Sequence, residues 1–275
     1  MMTDYMRPRP ARVPPGSVMS AKPSFESLAA ALDAEFQTLD PVGRLTRLRE
    51  AVEGRIVFTT SLGIEDQAIT HMIATAGLAI EIATLDTGRL FPEAYEVWAS
   101  TEERYGLRIR AFSPQAQAVQ ALVADQGING FYHLVEARKA CCSVRKVEPL
   151  DRTLNGAAGW ITGLRADQSD HRQGLGFAVF EAGRALIKAN PVFDWTRQQI
   201  VDFAAAHDVP VNPLHQKGFL SIGCAPCTRA VKPGEPERAG RWWWEDEAKK
   251  ECGLHVTEDG RVVRTAALSP DVARA

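Results

Sequence analysis

Four of the five cysteines fall in two tight groups, the adjacent pair Cys141-Cys142 and, far downstream, Cys224-Ala-Pro-Cys227. Grouped thiolates are soft ligands for zinc or for iron-sulfur clusters. A zinc ribbon uses two spaced pairs, and the side chains of adjacent cysteines diverge unless the backbone bends. The pattern therefore suits the more varied ligand directions of a cluster better than one tetrahedral ion. Zinc, or a buried pair beside unrelated free thiols, stays open as an alternative. Cys252 is left over, in Lys249-Lys-Glu-Cys-Gly-Leu-His255 near the end of the chain. Lys249, Lys250 and His255 favour its thiolate and Glu251 opposes it, so it reads either as a nucleophile or as an exposed thiol with no duty.

Cations that could hold an anion come from separate segments: Lys146 one turn after the cysteine pair, Arg165, and Arg238 and Arg241 before Trp242-Trp-Trp244. The arginine fork binds phosphate and sulfate oxygens bidentately; for each residue a solvated surface charge is the alternative. The Trp triplet reads as a packing anchor. Two glycine-bearing turns could receive a nucleotide. In Thr60-Ser-Leu-Gly-Ile-Glu-Asp66, Ser61 and Gly63 let backbone N–H groups approach a phosphate at a helix N-terminus. Glu65 and Asp66 repel an anion there, so cations must be brought from elsewhere, or the turn is merely a capped one. In Leu85-Asp-Thr-Gly-Arg-Leu-Phe-Pro92, Asp86 suits a ribose hydroxyl or a helix cap equally well.

These residues must be positioned by an α/β scaffold. Apolar positions at helical spacing across 25–53 predict two short helices, with Pro41 at a helix start. Residues 55–61 predict a buried strand, and Ile69, Met72, Ile73 and Ala76 give the next segment one apolar helical face. The unit repeats with strand 79–86, helix 91–105, strand 107–112 and helix 115–126. Further on come strand 160–164, an extended stretch 179–187 and helix 196–207. Such alternation predicts a parallel-rich sheet with helices on both faces and chemistry at the carboxyl ends of its strands. Beyond residue 209 the periodicity fails, which predicts irregular structure. The expected division is 1–24 as a disordered arm, 25–235 as a nucleotide- and cluster-binding α/β domain, and 236–275 as a mobile tail carrying Cys252.

Composition bounds the function. With 45% hydrophobic and 24% charged residues the chain can bury a sizeable core. A net charge of −2 gives no global attraction to nucleic acid or to anionic membrane. The first twenty residues carry Arg7, Arg9, Arg12 and several prolines without an apolar signal core, so a cytoplasmic protein is expected. In a reducing compartment, grouped cysteines are better read as chemistry than as disulfides. A homo-oligomer remains open.

Taken together, Ser61-Leu-Gly-Ile-Glu-Asp66, Leu85-Asp-Thr-Gly-Arg89, Lys139-Ala-Cys-Cys-Ser-Val-Arg-Lys146, Gly163-Leu-Arg165, Gly223-Cys-Ala-Pro-Cys227, Arg238-Ala-Gly-Arg-Trp-Trp-Trp-Glu245 and Glu251-Cys-Gly-Leu-His255 resemble the assimilatory adenylyl-sulfate reductases. The resemblance implies an adenine nucleotide α-hydrolase-like (PP-loop) fold and reduction of adenosine 5'-phosphosulfate to sulfite and AMP, with thioredoxin or glutaredoxin as donor. It implies Cys252 as the nucleophile that becomes S-sulfocysteine, and a 4Fe-4S cluster on Cys141, Cys142, Cys224 and Cys227. The substrate-binding residues it implies are Ser61, Gly63, Asp66, Leu85, Asp86, Thr87, Gly88, Arg89, Lys146, Gly163, Arg165, Arg238, Arg241 and His255. A reductase of 3'-phosphoadenosine 5'-phosphosulfate, or a dual-substrate enzyme, is the nearest alternative. A PP-loop tRNA-modifying enzyme fits less well, since that class is expected to show a Ser-Gly-Gly-x-Asp-Ser loop and a basic surface.

Overall fold

The computed structural model describes residues 24–168, 172 and 175–245. Two capped helices open it. In α1 (Phe25–Phe36) the Ser24 side chain accepts from Ser27 N, and in α2 (Pro41–Ala51) Asp40 accepts from Gly43 N with proline at the first turn. Their apolar stripes bury Ala29, Leu32, Phe36, Leu45 and Leu48. Arg44 is buried between them. It donates to Phe36 O and Pro191 O and forks onto both Asp194 oxygens at 2.6 and 2.8 Å, which fixes the helical pair to the sheet.

The sheet consists of β1 (Ile56–Thr60), β2 (Glu81–Leu85), β3 (Arg110–Phe112), β4 (Gly159–Ile161), β5 (Ala178–Glu181) and β6 (Leu186–Ala189), in the order β3-β2-β1-β4-β6-β5. All neighbours pair in parallel except β5 with β6. The intervening helices are α3 (Ile64–Thr75), α4 (Pro92–Tyr105), α5 (Ala116–Gln126), α6 (Val135–Cys142) and α7 (Glu148–Leu154), with α8 (Arg197–Ala206) after β6. Period-two alternation sends Ile56 and Phe58 to a core shared with α1, α2, α3, α4 and α8. Val57 faces the opposite side, with Leu150, Leu154, Trp160 and Leu186. Chain order reverses where β1 lies between β2 and β4, so the loops after β1 and β4 bound a crevice at the carboxyl edge.

Several expectations are corrected. Strand 107–112 shortens to Arg110–Phe112. The stretch 179–187 is a hairpin whose turn includes Ala185 at φ 53, so its two strands form the antiparallel edge. Residues 135–154, unassigned from the sequence, are helical throughout, α6 and α7 being joined by a π-helical turn, Ser143–Val147. The segment 236–245, placed in the tail by the sequence reading, is folded into the domain. Its Arg241 bridges antiparallel to Thr228, and Trp242 is 1% exposed. Among the described residues no helix is long and apolar enough to cross a membrane.

Candidate active site

The loop after β1 turns through Leu62 at φ 61, a left-handed conformation that costs a non-glycine residue about 1 kcal/mol or more. Asp66, one turn into α3, closes that loop: its Oδ2 accepts from Ser61 N and Ser61 Oγ, both at 2.6 Å. Gly163, after β4, packs against the same carboxylate. A Cβ at Gly163 would overlap Asp66 Oδ1, so glycine is required where the two loops meet. Burial pushes the Asp66 carboxyl up to about 6, against the pull of the Ser61 bonds.

A cavity of about 250 Å³ opens over these loops. Ser61, Gly63, Asp66, Leu85, Thr87, Lys146, Gly163, Arg238 and Arg241 line it, bringing together nine of the residues singled out from the sequence. Trp160, Arg172, His215 and Glu237 line it as well. They come from scattered segments and lie in none of the motifs, so only the fold assembles them. Gly223 lies against Arg241, where a Cβ would meet the Arg241 guanidinium carbon at 2.5 Å, and Arg241 Nη1 donates to Ile222 O.

Other candidates are placed differently. Asp86 accepts from Gly88 N and from Tyr95 Oη, the turn-capping role, while Gly88 holds φ 67. Arg89 donates to Ile128 O and faces the cysteines rather than the larger cavity. Arg165 is fully buried and already forked by carboxylates. It donates to Glu65 Oε1 at 2.9 and 2.8 Å, to both Glu237 oxygens at 2.9 and 2.8 Å, and to Asp167. As placed, Arg165 holds Glu65 and Glu237 in the cavity wall. Burial raises the Glu237 carboxyl, and Arg165 opposes the rise. Cys252 and His255 lie outside the described residues.

The four remaining cysteines converge. Cys141, Cys142, Cys224 and Cys227 line a second, small cavity of about 20 Å³ together with Arg89, Phe131, Arg138, Arg145 and Lys146. The π-turn sets Arg145 and Lys146 on the cavity wall right after the cysteine pair, a placement typical of π-bulges at functional sites. Thr87 Oγ1 is 3.3 Å from Cys224 Sγ, and Arg145 Nη1 donates to Thr87 O at 2.7 Å, tying the loop after β2 to the cysteine helix. Tyr132 Oη donates to Pro226 O at 2.6 Å, bracing the Cys-Ala-Pro-Cys turn. Burial pushes the Cys227 thiol up to about 12 and raises Cys141, so a metal has to displace their protons.

The donor set fits a cluster. Four thiols face one cavity, and Arg89, Arg138, Arg145 and Lys146 surround it with the positive charge that four thiolates require. Trp242 packs against Cys227, and its buried Nε1 has no acceptor among the described residues, a donor that a sulfur could satisfy. Among the described residues no three His, Cys, Asp or Glu side chains are grouped to hold a single metal ion. Lys146 lines both cavities.

Sheet order, the glycine turn after β1 and the cavity at the switch point define an α/β protein of the adenine nucleotide α-hydrolase-like class. Residues 55–230 match the family described as the phosphoadenosine phosphosulfate reductase domain, and the chain belongs to that family. It is 57% identical over 227 residues to the adenosine 5'-phosphosulfate reductase of Agrobacterium fabrum, covering 82% of this chain and 87% of that one. It is 54% identical to the protein of the same name from Sinorhizobium fredii strain USDA 257, covering 86% and 93%. In structure it resembles the phosphoadenylyl-sulfate reductase of Candida auris in its phosphate complex, with a TM-score of 0.63 at 22% identity over 78% of this chain and 100% of that one. That likeness bears on the fold.

Proposed function

We propose that the protein reduces adenosine 5'-phosphosulfate to sulfite and AMP, with a dithiol protein of the thioredoxin or glutaredoxin kind as donor. The observation that carries this reading is Lys146, which lines the cysteine cavity and the larger one at once. A sulfonucleotide has the matching polarity, with a nucleoside at one end and a doubly anionic phosphosulfate at the other. The names of the relatives support the substrate.

In this mechanism the larger cavity takes the nucleotide, and Lys146, Arg238 and Arg241 hold the phosphosulfate oxygens. The Cys252 thiolate attacks the sulfate sulfur. The S–O bond to the phosphate breaks, AMP leaves with the electron pair, and Cys252 becomes S-sulfocysteine. Charge developing on the AMP phosphate is stabilised by the same cations. A thiolate of the donor then attacks Cys252 Sγ and releases sulfite as a mixed disulfide forms, and the donor's second thiol resolves it. The two electrons come from the dithiol.

Cys141, Cys142, Cys224 and Cys227 would hold a 4Fe-4S cluster, which would supply structure and electrostatic polarisation near Lys146. The adjacent pair Cys141-Cys142, lining one cavity with Cys224 and Cys227, suits the varied ligand directions of a cluster better than one tetrahedral ion. Asp66 positions Ser61 and the loop after β1, and Arg165 orders the carboxylates of the wall.

The decisive experiment is intact mass spectrometry of anaerobically purified protein mixed with adenosine 5'-phosphosulfate. A sulfonate adduct on Cys252, absent from Cys252→Ser, is expected alongside bound iron and sulfide in both proteins. No adduct on wild-type protein that holds iron would sink the mechanism.

A further inference from the structure

Arg138 meets three parts of the molecule at once. It lies on α6, one helical turn before Cys142, and is 0% exposed on the wall of the cysteine cavity. Its Nε and Nη2 donate to the two Glu245 oxygens at 2.9 and 2.7 Å, and the Glu245 side chain is itself only 3% exposed. Its guanidinium carbon stands 4.8 Å from the centre of the Trp242 ring, which Arg241 also approaches at 4.8 Å. It is hydrogen-bonded to Cys142 as well. Such a pair survives burial only when fork, carboxylate and the leftover donors are all satisfied. Here the leftover donors turn to a cysteine.

The position of Glu245 gives this contact its meaning. The segment ending there carries Arg238 and Arg241 over the larger cavity, and the chain continues from it toward Cys252. We propose that Arg138 is a positioning residue that couples the four-cysteine site to the segment Arg238–Glu245. By holding Cys142 and Glu245 in one geometry, its guanidinium fixes Trp242 and so the placement of Arg241. Lysine cannot do this, because a point charge cannot fork onto a carboxylate, cover an indole face and reach a sulfur together. The proposal rests on the reading of the larger cavity as a nucleotide site, and its test keeps the two apart.

The test uses the full chain, purified anaerobically with its iron, as wild type, Arg138→Lys, Glu245→Gln and the double variant. Two quantities are followed, AMP affinity by titration and the rate of iron release to a chelator. Each single variant is expected to weaken AMP binding on the order of tenfold and to speed iron release by a similar factor, a size usual for coupled neighbours. The double variant should be no worse than the worse single. Single variants that match wild type, or single effects that multiply in the double variant, overturn the proposal. Wild-type protein that binds no AMP overturns the nucleotide reading instead, and iron release still decides the coupling. If Arg138→Lys does not fold, hydrogen exchange of the peptide spanning Trp242–Glu245 in wild-type protein, before and after iron removal, replaces it. Faster exchange after removal is expected, and unchanged exchange overturns the coupling.

Discussion

Replacing Gly163 by alanine isolates the contact between the loops after β1 and β4. The added Cβ would overlap Asp66 Oδ1 and crowd Glu65 Cβ at 3.2 Å, and neither neighbour is the free end of a flexible side chain. Asp66 must withdraw from a position fixed by two 2.6 Å bonds from Ser61. Overpacking of this kind costs about 1–3 kcal/mol. Weakening hydrogen bonds to a buried carboxylate adds about 1.5–3 kcal/mol. Gly163→Ala should therefore lower unfolding free energy by roughly 2.5–6 kcal/mol. Urea titration followed by far-ultraviolet ellipticity measures it, with Gly77→Ala as control. Gly77 has φ 61 and nothing within 4 Å of a Cβ, so it should lose only about 1 kcal/mol of backbone strain. In an Asp66→Ala background the cost of Gly163→Ala should shrink toward that of the control, because the clash is gone. A Gly163→Ala loss no larger than the Gly77→Ala loss, or an undiminished loss in the Asp66→Ala background, would refute the reasoning.

Asp66 titrates near 6 in the fold against 3.8 for a free carboxyl, so folding favours its protonated form. That contribution is full below 3.8 and fades as pH rises through about 6. At roughly 1.36 kcal/mol per pH unit it amounts to about 3 kcal/mol. Asp66→Asn should therefore gain on wild type as pH rises from about 4 to about 6, and a pH-independent difference in urea midpoint would contradict this. Arg165→Met should cost about 3–5 kcal/mol in thermal unfolding by stranding Glu65 and Glu237, and adding Glu65→Gln should recover part of it. Recovery of nothing would mean that Arg165 acts by packing alone. Cys224→Ser should lose bound iron and sulfide while keeping its far-ultraviolet spectrum; iron at the wild-type level by elemental analysis would remove Cys224 from the ligand set.

The core strands were legible because β1, β2 and β4 are short apolar runs bounded by glycine turns, and the first helices because apolar residues recur at helical spacing and Pro41 marks a start. The helical run across 135–154 was not, since Pro149 and the cysteine pair interrupt any regular apolar stripe and the π-turn shifts its phase. For the site, the motifs led to the cysteine set and to nine residues of the larger cavity. They do not reveal the ion pairs of Arg165, because its carboxylate partners Glu65 and Glu237 stand about a hundred and about seventy residues away and nothing local announces them. Nothing local marks Arg138 either, since its partner Glu245 stands about a hundred residues downstream.

The π-turn also acts as a phase shifter. A helix that gains one residue without gaining a turn rotates everything after it by roughly 100° relative to everything before. Upstream of Ser143–Val147 the helix directs Arg138, Cys141 and Cys142 to one cavity, and downstream Leu150 and Leu154 meet the sheet. Lys146 falls within the shift, where a single side chain can border two chambers. Deleting one residue from the turn would restore an even spiral, and Lys146 could then no longer share a wall with both chambers while Leu150 and Leu154 kept their seats. The wall that the sulfur-rich chamber shares with its neighbour thus depends on one surplus residue in a helix.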